Sequence, residues 1–451
     1  MKVRRGFVWV MLLALLALAA FWGINRLDAP PPAREYSAAD LAPASISTDN
    51  GFYWLVNLLQ PPGADVANAA VREQTRRLFD PAAIAGPGEA GASGSVLLPD
   101  QRLFLLQMRL PVPRLLEACA RDRQSLDEEL KTFRHVLGRY ERMLDCPEVA
   151  DFTPPDPRSP AVPLVNTRGA ARLWLAWAAS RGLDGDWPGA VAMVQAHIQF
   201  SQKLVAGSRS VLGSMIGMAL TADGLQVLAE MINQPGFVAE LGPGIEAGLP
   251  PWSGRDLPIR SALLGEFLTL KRILREPDIL QDSAAGPRMV RSISRVFTYQ
   301  PNRTDQYLQR WLDGLQAALD QPPFQKPPLP EVLFSPEAAW WVQNGYGKSV
   351  AETSLPAARD LYQRVYIVLA WRDLVALAGR WRGEPAGEAT AAAMEAALAA
   401  SGRADPFSGK PYRYSPSRQC LYSVAENLTD QGGDPRKDLA VPCLLAPGSA
   451  R

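Results

Sequence analysis

The stretch RGAARLWLAWAASRGLDGDWPGAVAMVQAHIQFSQKL, from Arg168 to Leu204, decides the fold. Arg168 to Arg181 carries Leu173, Trp174 and Trp177, and Leu183-Asp184-Gly185-Asp186 then reads as a turn. Asp186 reads as the N-cap of a helix opening at Trp187-Pro188, because a short carboxylate takes free N–H groups and proline suits the first helical position. Met193, His197, Phe200 and Leu204 fall on one face of that helix, and a third helix, from about Val211 to Ile232, is apolar and rich in small residues. Antiparallel helix pairs of this kind predict a mainly α chain. It is built either as an irregular helical bundle or as tetratricopeptide-like helix hairpins, since no fixed repeat period decides between them.

Upstream, Leu126, Leu130, Phe133, Leu137, Tyr140 and Leu144 step by four and three, which predicts one amphipathic helix over 125–144 with His135 off the stripe and solvated. Six prolines in 147–163 end that block. Downstream, helices are predicted over 259–274, 305–319, 357–381 and 388–400, interrupted by the Pro-rich segment 322–330. The last fifty residues change character: Asp405-Pro406-Phe407-Ser408-Gly409 is a turn sequence, and 411–415 and 420–424 alternate as two short strands of a β-hairpin. The organisation read from the chain is a cytoplasmic tip and transmembrane anchor over 1–27, a Pro/Ala-rich stalk over 28–48 and a first helical block over 49–146. A Pro-rich connection over 147–164, a main helical domain over 165–402 and a disulfide-closed β-hairpin module over 403–451 follow.

The anchor reading rests on Lys2, Arg4 and Arg5 ahead of an apolar run from Phe7 to Ile24, which Asn25-Arg26 and Pro30-Pro31-Pro32 terminate. Such a run of about 18 residues is just long enough for a hydrocarbon core of roughly 30 Å. The leading basic residues place the N-terminus in the cytoplasm and the bulk of the chain in the periplasm of a bacterial inner membrane. Ala17-Leu18-Ala19 has the small-x-small form of a signal-peptide cleavage site, whereas Phe21 and Trp22 suit a retained interfacial anchor, which is the reading preferred. One span is predicted. Cys119 with Cys146 and Cys420 with Cys443 form two sequence-local pairs that an oxidising compartment would bridge, with four buried thiols as the alternative. The balance of 47 Lys+Arg against 46 Asp+Glu offers no field for nucleic acid, so the partners expected are the membrane and another envelope protein.

Chemistry-bearing motifs are few. Two histidines, His135 and His197, exclude a site built on several imidazoles, and His197 reads as a satisfied core residue. Gly345-Tyr346-Gly347-Lys348-Ser349 ends like a phosphate loop but has Val342 where that loop needs glycine, so no nucleotide is expected. Asp184 and Asp186 read as helix capping rather than as an acid and base, and Glu266 is one arbitrary carboxylate for a periplasmic hydrolase. No catalytic residue is assigned and no cofactor is required. Glu426, Asn427, Asp430, Asp434 and Asp438 surround Gly432-Gly433, and calcium held by Asn427, Asp430, Asp434 and Asp438 is weighed against a solvated polar loop.

Asp405-Pro406-Phe407-Ser408-Gly409-Lys410-Pro411-Tyr412-Arg413-Tyr414, Leu421-Tyr422-Ser423-Val424 and Asp430-Gln431-Gly432-Gly433 together resemble the C-terminal hairpin of the major pseudopilins of type II secretion. The resemblance covers about the last 45 residues and implies a calcium loop; the chain departs from it at Ala425, Asn427 and Leu428. Arg5-Gly6-Phe7 ahead of the apolar run resembles a prepilin cleavage site between Gly6 and Phe7, with Met11 in place of the usual glutamate. The anchor, Asn50-Gly51-Phe52-Tyr53 and Arg260-Ser261-Ala262-Leu263-Leu264-Gly265-Glu266 resemble a set of uncharacterised bacterial membrane-anchored envelope proteins. The absence of catalytic spacing leads to the expectation of a non-enzymatic interaction or structural component of the envelope. The hairpin and Gly6-Phe7 resemblances imply as the alternative a pseudopilin-like component or accessory of a type II secretion or type IV pilus system, and a periplasmic hydrolase using carboxylates is the third reading.

Overall fold

Asp186 starts the helix assigned to it. Its Oδ1 accepts the Gly189 N–H at 3.0 Å, while its other oxygen pairs with Arg181 across the turn. A computed structural model describes residues 2–41, 46–85, 101–112, 114–249, 259–276, 299–319, 321–325, 343–382 and 391–443. Among them the chain is mainly helical. The helices are α1 (Lys2–Arg26), α2 (Gly51–Val56), α3 (Ala69–Leu78), α4 (Pro81–Ala85), α5 (Gln101–Arg109), α6 (Leu115–Arg121), α7 (Arg123–Thr132) and α8 (Arg134–Asp145). They continue as α9 (Leu164–Leu183), α10 (Trp187–Gly207), α11 (Val211–Ile232), α12 (Gly242–Gly248), α13 (Arg260–Arg275), α14 (Pro301–Ala318), α15 (Gly345–Arg382) and α16 (Ala391–Ala400). Strands β1 (Arg413–Ser415), β2 (Cys420–Ser423) and β3 (Leu439–Pro442) form an antiparallel sheet in the order β1-β2-β3.

The quoted stretch supplies the centre of the molecule. Leu173, Leu175, Ala176, Ala178 and Ala179 of α9 are fully buried on all sides, because α5, α6, α8, α10 and α11 surround it, which is why α9 has no polar face. The α10–α11 pair is the most extensive helix contact, and glycines let it close: a Cβ at Gly217 would stand 2.6 Å from Val205 Cγ2. Helix α11 is long and apolar enough to cross a membrane, contrary to the single early span expected, but 61% of its apolar window is buried inside the protein. It is a core helix. The arrangement is irregular, and the core is continuous from Tyr36 to Cys443.

Three local expectations change. The helix over 125–144 is divided at Phe133 into α7 and α8, although Leu126, Phe133, Leu137, Tyr140 and Leu144 are all buried as the stripe requires. Phe133 still donates to Glu129 O and accepts from Leu137, each at 2.9 Å, so the kink sacrifices little hydrogen bonding. His135 is half-buried rather than solvated, and burial followed by the charge of Arg139 lowers its pKa. The third change is that the hairpin has a third strand: β2 pairs with β3 from Cys420↔Pro442 to Ser423↔Leu439. Four residues ending in proline are a weak strand signal, and a sheet edge is where proline is tolerated.

The segment read as a stalk is docked over its described residues. Tyr36 is buried against Phe267 with ring centroids 5.9 Å apart, and its hydroxyl donates to Asp313 at 2.9 Å. Glu35 accepts from the buried Lys271 at 2.9 Å, and Leu41 O accepts from Arg209 at 2.9 Å. Proline-rich backbone is stiff and already extended, so laying it along α13 and α14 costs little entropy. The Pro-rich connection is likewise held: Asn50 accepts the Ala150 N–H and donates to Ala150 O, and Asp151 accepts from Arg209 N at 3.1 Å.

Candidate functional sites

The N-terminal helix is the first candidate, because its described apolar side chains stand largely exposed. Those of α1 are described from Met11 onward; Leu13, Leu15, Leu16 and Leu18 are each about 60% exposed, at 64%, 59%, 62% and 63%. Exposed leucine on this scale favours burial by about 2 kcal/mol per side chain. Gly6 and Phe7 lie in the first turns of α1, and their side chains lie outside the described residues.

Where α1 ends, a buried polar clamp takes hold. Asn25 Oδ1 accepts the Asn344 N–H at 3.0 Å, and Gln300 donates to Ile24 O at 2.7 Å and to Leu27 O at 3.1 Å. Asn344 Oδ1 in turn accepts from Gln300 N at 2.9 Å and from Thr304, and Gln300, Thr304 and Asn344 are all 0% exposed. Asp28 accepts from Asn302 N and Arg303 N, and Gln306 donates to Pro30 O at 2.7 Å. The first turns of α14 and α15 therefore grip the chain immediately after α1. Gly345-Tyr346-Gly347-Lys348-Ser349 forms those first turns of α15, and Gly347 is needed there, since a Cβ would stand 2.0 Å from Thr304 Oγ1. Sequence reasoning missed this clamp; the one available signal was Asn25, a polar residue closing an apolar run.

The C-terminal loop between β2 and β3 is the second candidate. Of the four expected ligands, Asp430 and Asp438 flank the Gln431–Gly433 backbone. Asp430 pairs with Arg413 and accepts from Tyr422 and Gly432 N, while Asp438 Oδ2 accepts from Gln431 N at 3.3 Å and Gly433 N at 2.9 Å. Asn427 and Asp434 lie apart and hold their own turns, accepting from Thr429 N and Arg436 N, and Glu426 is exposed. Among the described residues no three His, Cys, Asp or Glu side chains converge as a metal group. Two buried oxygens nevertheless lack a hydrogen-bond partner, Asp438 Oδ1 and Gln431 Oε1, and Asp438 is only 4% exposed. Unpaired buried oxygens are costly, and they are the donor type a hard cation takes. Gln431 was not among the expected ligands.

Asp405 anchors the same module. This buried carboxylate accepts from Phe407 N, Ser408 Oγ, Ser423 Oγ and Val424 N, tying the turn to β2. The four cysteines are buried free thiols. Cys119 donates to Ala176 O and Cys146 to Arg142 O, and Cys443 N bonds Gln419 O at 2.8 Å, which sets Cys443 beside Cys420 across neighbouring strands. Burial pushes the Cys119 and Cys443 thiols up to about 12, so neither is a nucleophile at neutral pH.

The third candidate is the polar centre between α8, α9, α10 and α11. His197 is 0% exposed; its Nε2 lies 2.9 Å from Leu220 O and its Nδ1 2.7 Å from Tyr140 Oη. A carbonyl only accepts, so Nε2 carries the proton and the neutral ring accepts the tyrosine O–H at Nδ1. Burial lowers its pKa to about 4. Arg172 pairs with Asp223 at 2.7 Å beside it. Every polar atom of the imidazole is thus satisfied inside the core, the arrangement of a structural histidine. Asp184 pairs with Arg123 while Asp186 caps α10, so these two carboxylates are separately engaged, and Glu266 takes the Val211 N–H at the start of α11. Comparisons with known protein families, with curated proteins and with solved structures find no match to this chain.

Proposed function

We propose that this chain is a single-pass inner-membrane protein with its N-terminus in the cytoplasm and its helical body in the periplasm, acting as a non-enzymatic interaction or structural component of the bacterial envelope. The observation that carries the reading is the exposed apolar side chains of α1 from Met11 to Leu18, on a helix of 25 residues that extends about 37 Å at 1.5 Å each and is hydrogen-bonded to the body directly at its end. Lys2, Arg4 and Arg5 ahead of the apolar run support the orientation. A second reading, a pseudopilin-like component or accessory of a type II secretion or type IV pilus system, is favoured by the C-terminal module, whose loop leaves Asp438 Oδ1 and Gln431 Oε1 open to a cation such as calcium.

Membrane fractionation tests the reading. The full-length protein should stay with membranes through an alkaline carbonate wash, and a version lacking residues 1–27 should be released. A phosphatase reporter active only outside the cytoplasm should work when fused after residue 443. Full extraction of the intact chain by carbonate overturns the anchor, and an inactive reporter overturns the orientation.

A further inference from the structure

We propose that the body does not hang from α1 on a tether but is seated against the bilayer surface in one fixed pose, set by the polar clamp that buries the end of the anchor among the first turns of α14 and α15. The inference rests on the anchor reading and deepens it, because it names the face of the body that meets lipid. Two conditions carry it: the clamp stands within reach of the headgroups, and the junction has no hinge.

Reach follows from the spacing along α1. Asn25 is buried in the clamp, 6% exposed, while Trp22, three residues earlier in the same helix, is 48% exposed. At 1.5 Å per residue the two are about 4.5 Å apart along the axis, less than the roughly 5 to 8 Å that the headgroup layer occupies on each side of the hydrocarbon core. The exposed leucines from Leu13 to Leu18 lie just before Trp22, and the Arg26 guanidinium sits 5.0 Å above the Trp22 ring. Tryptophan at the end of an apolar run marks where lipid tails give way to headgroups. The groups that hold Asn25 therefore stand at the headgroups or immediately outside them.

The junction has no hinge because hydrogen bonds run through it without a gap. No proline precedes Pro30, and the Leu27 N–H still bonds Gly23 O at 3.2 Å, so α1 keeps its helical bonding up to the point where it enters the clamp. The Asn25 amide donates to Phe21 O at 2.9 Å on the anchor side, and its Oδ1 accepts from Asn344 N at 3.0 Å on the body side. Gln300 donates to Ile24 O and Leu27 O, Asn302 to Ala29 O and Gln306 to Pro30 O, so the chain is fastened again at each step beyond the helix. The four side chains at the centre, Asn25, Gln300, Thr304 and Asn344, are buried and uncharged, so salt does not screen their bonds. Pro301, the first residue of α14, is exposed beside them, and the pose brings it to the lipid surface.

The test uses full-length protein in phosphatidylcholine vesicles that carry a nitroxide quencher on some headgroups, with one fluorophore attached at Pro301→Cys; the four native thiols are buried and stay unlabelled. The label should lose most of its emission to the headgroup nitroxide. In Asn25→Ala/Gln300→Ala, which removes the side-chain bonds to Asn344 N, Ile24 O and Leu27 O, the emission should return while the protein still floats with the vesicles. Asn25→Ala alone, a change confined to the anchor side, should restore part of it, so the outcome does not depend on how well the body tolerates the loss of Gln300. Undiminished emission from floating protein with the clamp intact overturns the inference and leaves the anchor standing. Quenching in the double variant as strong as with the clamp intact overturns the clamp as the cause of the pose. Protein that fails to float overturns the anchor, and the inference with it.

Discussion

Helices α1 and α11 are both long and apolar, yet they differ in what covers them. Helix α11 packs on α9, α10 and α15, and its Leu220, Leu225 and Leu228 are each 0% exposed, leaving Leu212 in its first turn as the exposed leucine. The leucines of α1 from Leu13 to Leu18 meet no part of the protein over more than half their surface. Hydropathy alone does not separate the two, because it measures the preference to leave water and is silent about where the side chain goes. The small-residue face of α11 is the local difference: Gly217 and Gly224 admit Val205 and Ile198 of α10 at distances a Cβ would forbid, whereas Gly23 of α1 has nothing within 4 Å. A helix shaped to receive a neighbour is a core helix.

Exchanging one charge into each helix is the sharpest way to break this contrast. Leu228→Asp should cost at least about 4 kcal/mol, because it leaves both a void and an unpaired buried carboxylate, and it should abolish cooperative unfolding in detergent. Leu16→Asp should leave the unfolding midpoint of the body within about 0.5 kcal/mol of the unaltered protein and instead increase carbonate extraction. Equal destabilisation by the two changes would show that α1 is packed within the protein after all.

The next effect is an acid-sensitive one, located at the α10–α11 interface. The folded state keeps His197 neutral down to about pH 4, whereas the unfolded chain protonates it near 6.5. Between those values the unfolded state binds the extra proton, so stability falls as pH falls through the window, by up to about 3 kcal/mol. Chemical denaturation of the full-length protein at several pH values should show this slope, and His197→Gln should lose it. A slope unchanged in the variant would assign the acid sensitivity elsewhere.

The smallest effect extends the contrast from apolar to polar surface, since Asp438 Oδ1 and Gln431 Oε1 are polar atoms without a partner inside the protein. Calcium at several times its dissociation constant should raise stability by about 1 kcal/mol relative to chelator, measured as a shift of the thermal midpoint. Gln431→Ala should remove that shift without touching the backbone bonds to Asp438. An unmoved midpoint at millimolar calcium would leave the loop as a polar closure.

Much of the helical architecture was legible because periodic side chains and caps act locally: Asp186, the burial of Leu126, Phe133, Leu137, Tyr140 and Leu144 and the turn at Leu183–Asp186 all appear as the sequence implies, whereas the break at Phe133 does not. What escaped depends on distant partners. Nothing near residue 25 announces Gln300 or Asn344, nothing near Glu35 announces Lys271, and β3 is recognisable only once β2 is beside it. In the candidate loop the unpartnered oxygens were not legible, because which carboxylate is consumed depends on Arg413, Tyr422 and the backbone N–H groups that reach it.

Helix α15 has a consequence for distance. Its first residue follows the Asn344 that grips the anchor, and its Asp373 binds Arg403 at 2.7 Å and Tyr412 at 3.2 Å in the C-terminal module. From Gly345 to Asp373 the helix runs 28 residues (373 − 345), about 42 Å at 1.5 Å per residue. It works as a ruler: one continuous helix fixes the separation between the clamp that holds the end of α1 and the contacts of Asp373 with the C-terminal module.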